Sequence, residues 1–212
     1  MVNENPQSFT THQITSEAEW NASIMPRLRD LIYRLPGTAD KHEQIENEWI
    51  PGWKEVGPKR CEDTENNYCA VTKNAEGEVC GLIMACRLNT DRAGNLEAFD
   101  TLKSETGFDD VSPEEVLYVD NIITLPESQG QGFKLMTDLR NFVKGHPTYR
   151  YILLRTDKNN NERVVRLYEA IKSKLMGTFT VTEGEGKREK LLFIKDLKPE
   201  EDVKSQVEET LQ

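Results

Sequence analysis

"VLYVDNIITLPESQGQGFKLMTDLRNFVKG", residues 116–145, carries three patterns in succession. Residues 116–125 are rich in β-branched and aromatic side chains and read as a strand. "ESQGQGFKLM", 127–136, places two glycines where a helix is about to begin. Leu135, Met136, Leu139, Phe142 and Val143 then recur at helical spacing until Gly145 closes the segment. Glycine between strand and helix opens dihedrals closed to other residues and lets a ligand approach main-chain N–H groups. The helix start adds unpaired donors and a partial positive charge, and Lys134 adds a full one, so the turn suits a pyrophosphate. It also serves as a plain tight turn. The spacing is neither GxxxxGK[ST] nor GxGxxG, which removes the nucleotide P-loop and the dinucleotide fingerprint.

Working outward, the same rhythm of strands and helices continues. Residues 8–14 read as a first strand. Ser16 and Glu19 form a capping box ahead of a helix carrying Trp20, Ile24, Leu28, Leu31 and Leu35, with a kink at Pro26. Thr38 caps a second helix that carries Ile45 and Trp49 and ends at Pro51; residues 52–66 read as a polar loop. "NYCAVTKNAEGEVCGLIMACRL", 67–88, is a β-hairpin turning at Asn74–Glu78. Residues 89–114 are polar, with one short helix at "NLEAFDTL" and a wall for an acceptor pocket as their expected role. Downstream come a strand at 150–156 and a helix capped by Asn159, Asn160 or Asn161. Val164, Leu167, Tyr168, Ile171 and Leu175 lie on one face of that helix, which stops at Gly177. A final hairpin turns at "EGEG". The expected order is β-α-α-β-β-β-α-β-α-β-β: an α/β fold, one domain over 1–198, with an acidic tail at 199–212.

Composition narrows the function. At 212 residues the chain is long enough for one sizeable core, and 36% hydrophobic residues in clusters keep it globular despite 30% charge. A net charge of -10 disfavours nucleic acid, whose phosphates need clustered Lys and Arg. No apolar run approaches the ~20 residues a bilayer needs, and no signal peptide is evident, so a cytoplasmic setting is expected. Cys61, Cys69, Cys80 and Cys86 lack CxxC spacing, and His12, His42 and His146 are scattered; free thiols, surface or capping histidines and no metal site are expected.

"QGQGFK", Gln129–Lys134, resembles the acyl-CoA pyrophosphate loop of the GNAT superfamily of N-acetyltransferases, with the pattern Gln/Arg-x-x-Gly-x-Gly/Ala. Gln129 and Gly132 match the first two places, and Lys134 stands where the family has Gly or Ala. "NERVVRLYEA", Asn161–Ala170, is similar to the family's Asn-x-x-Ala-x-x-Leu-Tyr helix, with Val164 at the Ala place. The family's Gly-Phe follows that Tyr by about four residues, whereas "GTF" starts here at Gly177, which implies a longer helix. "VCGLIMACRL" is similar to the family's third strand. The resemblance spans roughly residues 8–196. It implies a mixed, mostly antiparallel central sheet flanked by helices, with acetyl-CoA as co-substrate and a small-molecule or peptide amine as acceptor. It also implies roles. Gln129, Gly130, Gln131, Gly132, Phe133 and Lys134 hold the diphosphate, and Asn161 holds the pantetheine arm. Main-chain N–H groups of Ile122, Ile123 and Thr124 polarise the thioester, and Tyr168 protonates the departing thiolate.

Residue by residue, bland roles stand beside these. Tyr168 on an apolar face also reads as packed core. Asp120 is the best-placed base, since strand alternation puts Tyr118, Asp120 and Ile122 on one face; it also reads as a solvated strand-end carboxylate. Trp49 and Trp53 read as core anchors or as an acceptor wall, and "CEDTE", 61–65, as a solvated loop or an amine attractor. Two other functions stay open: an acyl-carrier-protein-dependent enzyme similar to acyl-homoserine-lactone synthases, and a non-catalytic GNAT-like binding domain. The sequence leaves the acceptor and the oligomeric state open.

Overall fold

A computed structural model describes residues 9–34, 41–88, 93–125, 130–158, 162–183 and 186–197. Gln129, Asn161, Thr38, Asn159, Asn160 and the acidic tail lie outside the described residues. In chain order the elements are β1 (Thr10–Gln13), α1 (Glu17–Ser23), α2 (Leu28–Ile32), α3 (His42–Gln44) and α4 (Ile50–Glu62). The hairpin β2 (Asn67–Lys73) and β3 (Val79–Arg87) follows, then α5 (Ala93–Thr106), β4 (Val116–Thr124) and α6 (Gln131–Gly145). The chain continues through β5 (Tyr151–Asp157), α7 (Glu162–Ala170), β6 (Lys174–Glu183) and β7 (Gly186–Asp196). One seven-stranded sheet runs β1-β2-β3-β4-β5-β7-β6, and β4 with β5 is its parallel pair. The mixed, mostly antiparallel sheet flanked by helices is the expected fold class.

Local chemistry explains the element boundaries. The Ser16 hydroxyl accepts from Glu19 N–H, and the Glu19 carboxylate reaches back to Thr15 N–H at 2.7 Å. That hydrogen bond, the largest cause, holds the Glu19 carboxyl below the usual carboxylate range. Pro26 breaks α1 from α2 through a 3-10 turn, Met25–Arg27. The second helix does not end at Pro51, and 52–66 is not a loop. Residues Ile45–Trp49 form a π turn, with Ile50 N–H bonded to Ile45 O, and α4 runs on to Glu62. The widened turn takes up the pyrrolidine ring that would otherwise clash with the carbonyl four residues back. Gly57 then lets Trp20 lie directly on α4. A Cβ there would stand 2.1 Å from the indole, so only glycine fits.

Two further expectations are corrected. The polar stretch 89–114 holds the full helix α5, whose Ala98, Phe99 and Leu102 bury against the sheet. The last helix ends at Ala170 instead of reaching Gly177. Ser173 N–H bonds to Tyr168 O, Lys172 N–H bonds to Glu169 O, and Lys172 sits in the left-handed region (φ 58). This is a Schellman stop made by lysine where glycine is the usual signal. Leu175 consequently belongs to β6 and is 49% exposed.

The sheet separates two layers. Tyr68, Ala70, Ile83, Ala85, Leu117, Val119, Ile152 and Leu154 pack with α6 and with Tyr168 and Ile171 at α7. On the other face α1, α2 and α4 cover Cys69, Val71, Leu82 and Met84, while α5 covers Cys86, Tyr118, Leu153 and Leu192. All four cysteines are buried and none forms a disulfide with a described residue. Among the described residues no helix is long and apolar enough to cross a membrane, and no His/Cys/Asp/Glu group is placed to hold a metal.

Candidate active site

The site begins where β4 and β5 part. They pair only from Val116–Tyr118 to Tyr151–Leu153, although both strands continue. Past Tyr118, β4 has one residue more than its other partner: Val119 lies opposite Ala85 and Asn121 opposite Met84, so Asp120 bulges. The bulge resets alternation. Ile122 therefore packs with the α6 layer like Val119, not on the face of Tyr118 as unbroken alternation predicts. Leu125 N–H donates to Cys80 O at 2.8 Å, which fixes the ladder's phase. Ile123 N–H accordingly points to β3, and those of Ile122 and Thr124 point to the side that β5 has vacated.

A cleft of about 770 Å³ occupies this gap. Its walls include Asp120, Asn121 and Ile122 from β4, Arg155 and Asp157 from β5, Trp49 and Trp53 from the α4 region, and Val164 and Tyr168 from α7. Both tryptophans thus line the cleft while packing on the core beneath α4. Tyr168 is buried, and its hydroxyl donates to Arg155 O at 3.2 Å. Burial pushes its phenol far up, more strongly than the Arg155 charge pulls it down, so it stays protonated throughout the physiological range. Asp120 Oδ2 accepts from Arg60 Nη1 at 2.6 Å, a bond that ties the bulge to α4. The histidines stand elsewhere: His12 beside Glu19, His42 against Tyr33, and His146 accepting from the N–H groups of Thr148 and Tyr149. "CEDTE" ends α4 and turns through Asp63, away from the cleft wall.

On the opposite layer α6 begins beside the same gap. Gly130 is its N-cap in the left-handed region (φ 84) and offers no capping side chain of its own, and the first turn holds no acid. A Cβ on Gly132 would lie 3.4 Å from Leu167 of α7 and 3.9 Å from Thr124 of β4, so this residue faces the space between those elements. Gln131 is buried, and its Oε1 has no hydrogen-bond partner among the described residues. Phe133 is half exposed. Of the expected loop residues that are described, Gly132 comes close to Ile122, Thr124 and Leu167, while none of Gly130–Lys134 lines the cleft that Ile122 and Tyr168 share. Sequence reasoning missed Arg60 and Arg155, whose site partners lie 60 residues away in the chain.

Comparisons with known proteins agree with this fold. The model of the acetyltransferase (GNAT) family matches residues 30–171. Comparison with curated proteins returns no match. Among solved structures, Arabidopsis thaliana NAA60 in complex with acetyl-CoA has a TM-score of 0.58 at 13% identity, over 91% of this chain and 100% of that one. A chimera of Vibrio cholerae spermidine N-acetyltransferase SpeG and hSSAT has a TM-score of 0.61 at 15% identity, over 89% and 95%. An N-acetyltransferase from Staphylococcus aureus Mu50 has 0.54 at 15%, over 90% and 99%. With two-thirds of its length matched by the family and an overall fold like that of these structures, the chain belongs to the GNAT acetyltransferase family.

Proposed function

We propose that the chain is an N-acetyltransferase that uses acetyl-CoA as co-substrate and a primary amine, carried by a small molecule or peptide, as acceptor. The observation that carries this reading is the start of α6. A helix opened by left-handed Gly130, with no cap from that residue and no first-turn acid but with Lys134 in its first turn, is poorly matched to its own dipole unless an anion is bound. The residues present fit acetyl-CoA. The α6 amides and Lys134 suit a diphosphate, and the slot facing Gly132 suits a narrow arm. Lys134 in place of Gly or Ala supplies charge to that same site.

Bound acetyl-CoA supplies the activated acyl group. The N–H groups of Ile122 and Thr124 are positioned as donors to a carbonyl oxygen in the gap, and Ile123 braces them through β3. Tyr168 holds its proton at the cleft wall as the acid, and Asp120 is the nearby carboxylate for the amine proton. No Ser/His/Asp set is needed, because the amine attacks directly. Four buried cysteines without a disulfide among the described residues support a reducing, cytoplasmic setting.

Thermal melting with excess acetyl-CoA tests the reading. A ligand that binds only the native state raises the midpoint, by the equivalent of about 2.7 kcal/mol at one hundred times its Kd. An unchanged midpoint in saturating acetyl-CoA refutes it.

A further inference from the structure

The walls of the cleft carry information about the acceptor. The chain has a net charge of -10, yet five cationic side chains face three acidic ones around this opening. Two of the acids are already engaged: Asp120 with Arg60 at 2.6 Å and Asp157 with Lys190 at 2.7 Å. A site for a polycation needs the opposite balance.

Arg155 is the pointed case. It follows Leu154, which packs in the α6 layer, so alternation turns Arg155 to the other face, the one covered by α4 and α5. There its Nη1 donates to Asn95 Oδ1 at 2.8 Å, and its guanidinium lies 5.9 Å from the centre of the Tyr118 ring. Asn95 is 4% exposed, so the guanidinium is anchored by a fixed, neutral partner. Arg155 forms no ion pair with any described residue. It lines the main cleft and also a second groove of about 590 Å³ between α5 and β6, which adjoins the first at Arg155 and Asp120. A planar, oriented fork of donors without a counter-ion is built for an oxyanion, whereas a bare cation gains nothing from it.

We propose that Arg155 recognises an oxyanion on the acceptor, so that the acceptor is an amine that also bears a carboxylate or phosphate, not a polyamine or a neutral amine. Arg155 is then a specificity-determining residue, and Asn95 is the positioning residue that aims it. The inference rests on the acetyltransferase reading and deepens it. The anion enters from the α4/α5 face while the thioester carrier enters from the α6/α7 face. The two substrates meet where β4 and β5 part.

The test uses the full chain with acetyl-CoA and measures thiol release over a matched panel. The panel holds the common α-amino acids and β-alanine, their amides, O-phosphoethanolamine with ethanolamine, and spermidine with putrescine. The fastest acceptors are expected to carry an oxyanion, and the first two groups tell carboxylate from phosphate. For the best acceptor, Arg155→Gln should raise KM about 10- to 100-fold. The acetyl-CoA melting shift should persist, and Arg155→Lys should recover part of the loss. Asn95→Ala should raise the same KM less. Midpoints without ligand control for folding. A fastest acceptor that lacks an oxyanion, an unchanged KM in Arg155→Gln, or no release from any panel member overturns the inference. In each case a retained acetyl-CoA shift leaves the acetyltransferase reading standing, and loss of the shift removes both.

Discussion

The two halves of the β4–β5 pair are built from similar strands and come to opposite ends. From Val116 to Tyr118, β4 hydrogen-bonds to β5, and its side chains vanish into two cores, Leu117 toward α6 and Tyr118 toward α5. From Asp120 onward the partner is lost, the cleft opens, and the strand presents donors and charge. The contrast teaches that the site is made by withholding a partner strand, not by adding a special element. Main-chain groups that must be paired in a core become available for a substrate once the neighbouring strand moves away.

The deepest break of this contrast lies in the closed half. Ile152→Ala, at a fully buried position beside the pairing, should cost about 2–5 kcal/mol of stability in denaturant unfolding, with activity lost only as the protein unfolds. The open half should behave in the reverse manner. Tyr168→Phe should lower kcat about a hundredfold while the acetyl-CoA melting shift stays near that of the unchanged protein. An unaltered rate would leave Tyr168 as packed core. Gly130→Ala forces a Cβ into the left-handed region at the mouth of the gap, although it meets no neighbour there. Urea unfolding should show a loss of about 1–2 kcal/mol, and titration with acetyl-CoA should show weaker binding. The smallest effect separates two roles for Asp120. Arg60→Gln should cost about 1 kcal/mol or less in stability. If Asp120 is the base, Asp120→Asn should reduce kcat well beyond what Arg60→Gln does; equal, small losses in both would make the pair a tether between α4 and the bulge.

Much of the closed half was legible in the sequence. Runs rich in β-branched and aromatic residues gave the strands, the Leu135–Val143 stripe gave α6, and Ser16 with Glu19 gave the start of α1, because each signal lies within a few residues of its effect. The open half was legible only where glycines mark it. The bulge at Asp120 has no signature, since an extra residue is defined by what lies opposite it on β3. The stop at Lys172 was hidden because a lysine holds a conformation that glycine usually announces. The continuation of α4 through Pro51 was hidden because a π turn reverses what proline ordinarily means. Arg60 and Arg155 escaped notice because their roles exist only once distant segments meet.

The extra residue at Asp120 also makes this strand sensitive to length in a way that side-chain chemistry cannot repair. Removing Asp120 would leave the pairing with β3 on both sides as it is, because Val119 and Asn121 already face the consecutive residues Ala85 and Met84, but it would abolish the bend that the bulge puts into β4 where it parts from β5. Point changes in this segment are therefore far easier to absorb than a single-codon deletion, which would straighten β4 and let it run on beside β5, narrowing the cleft.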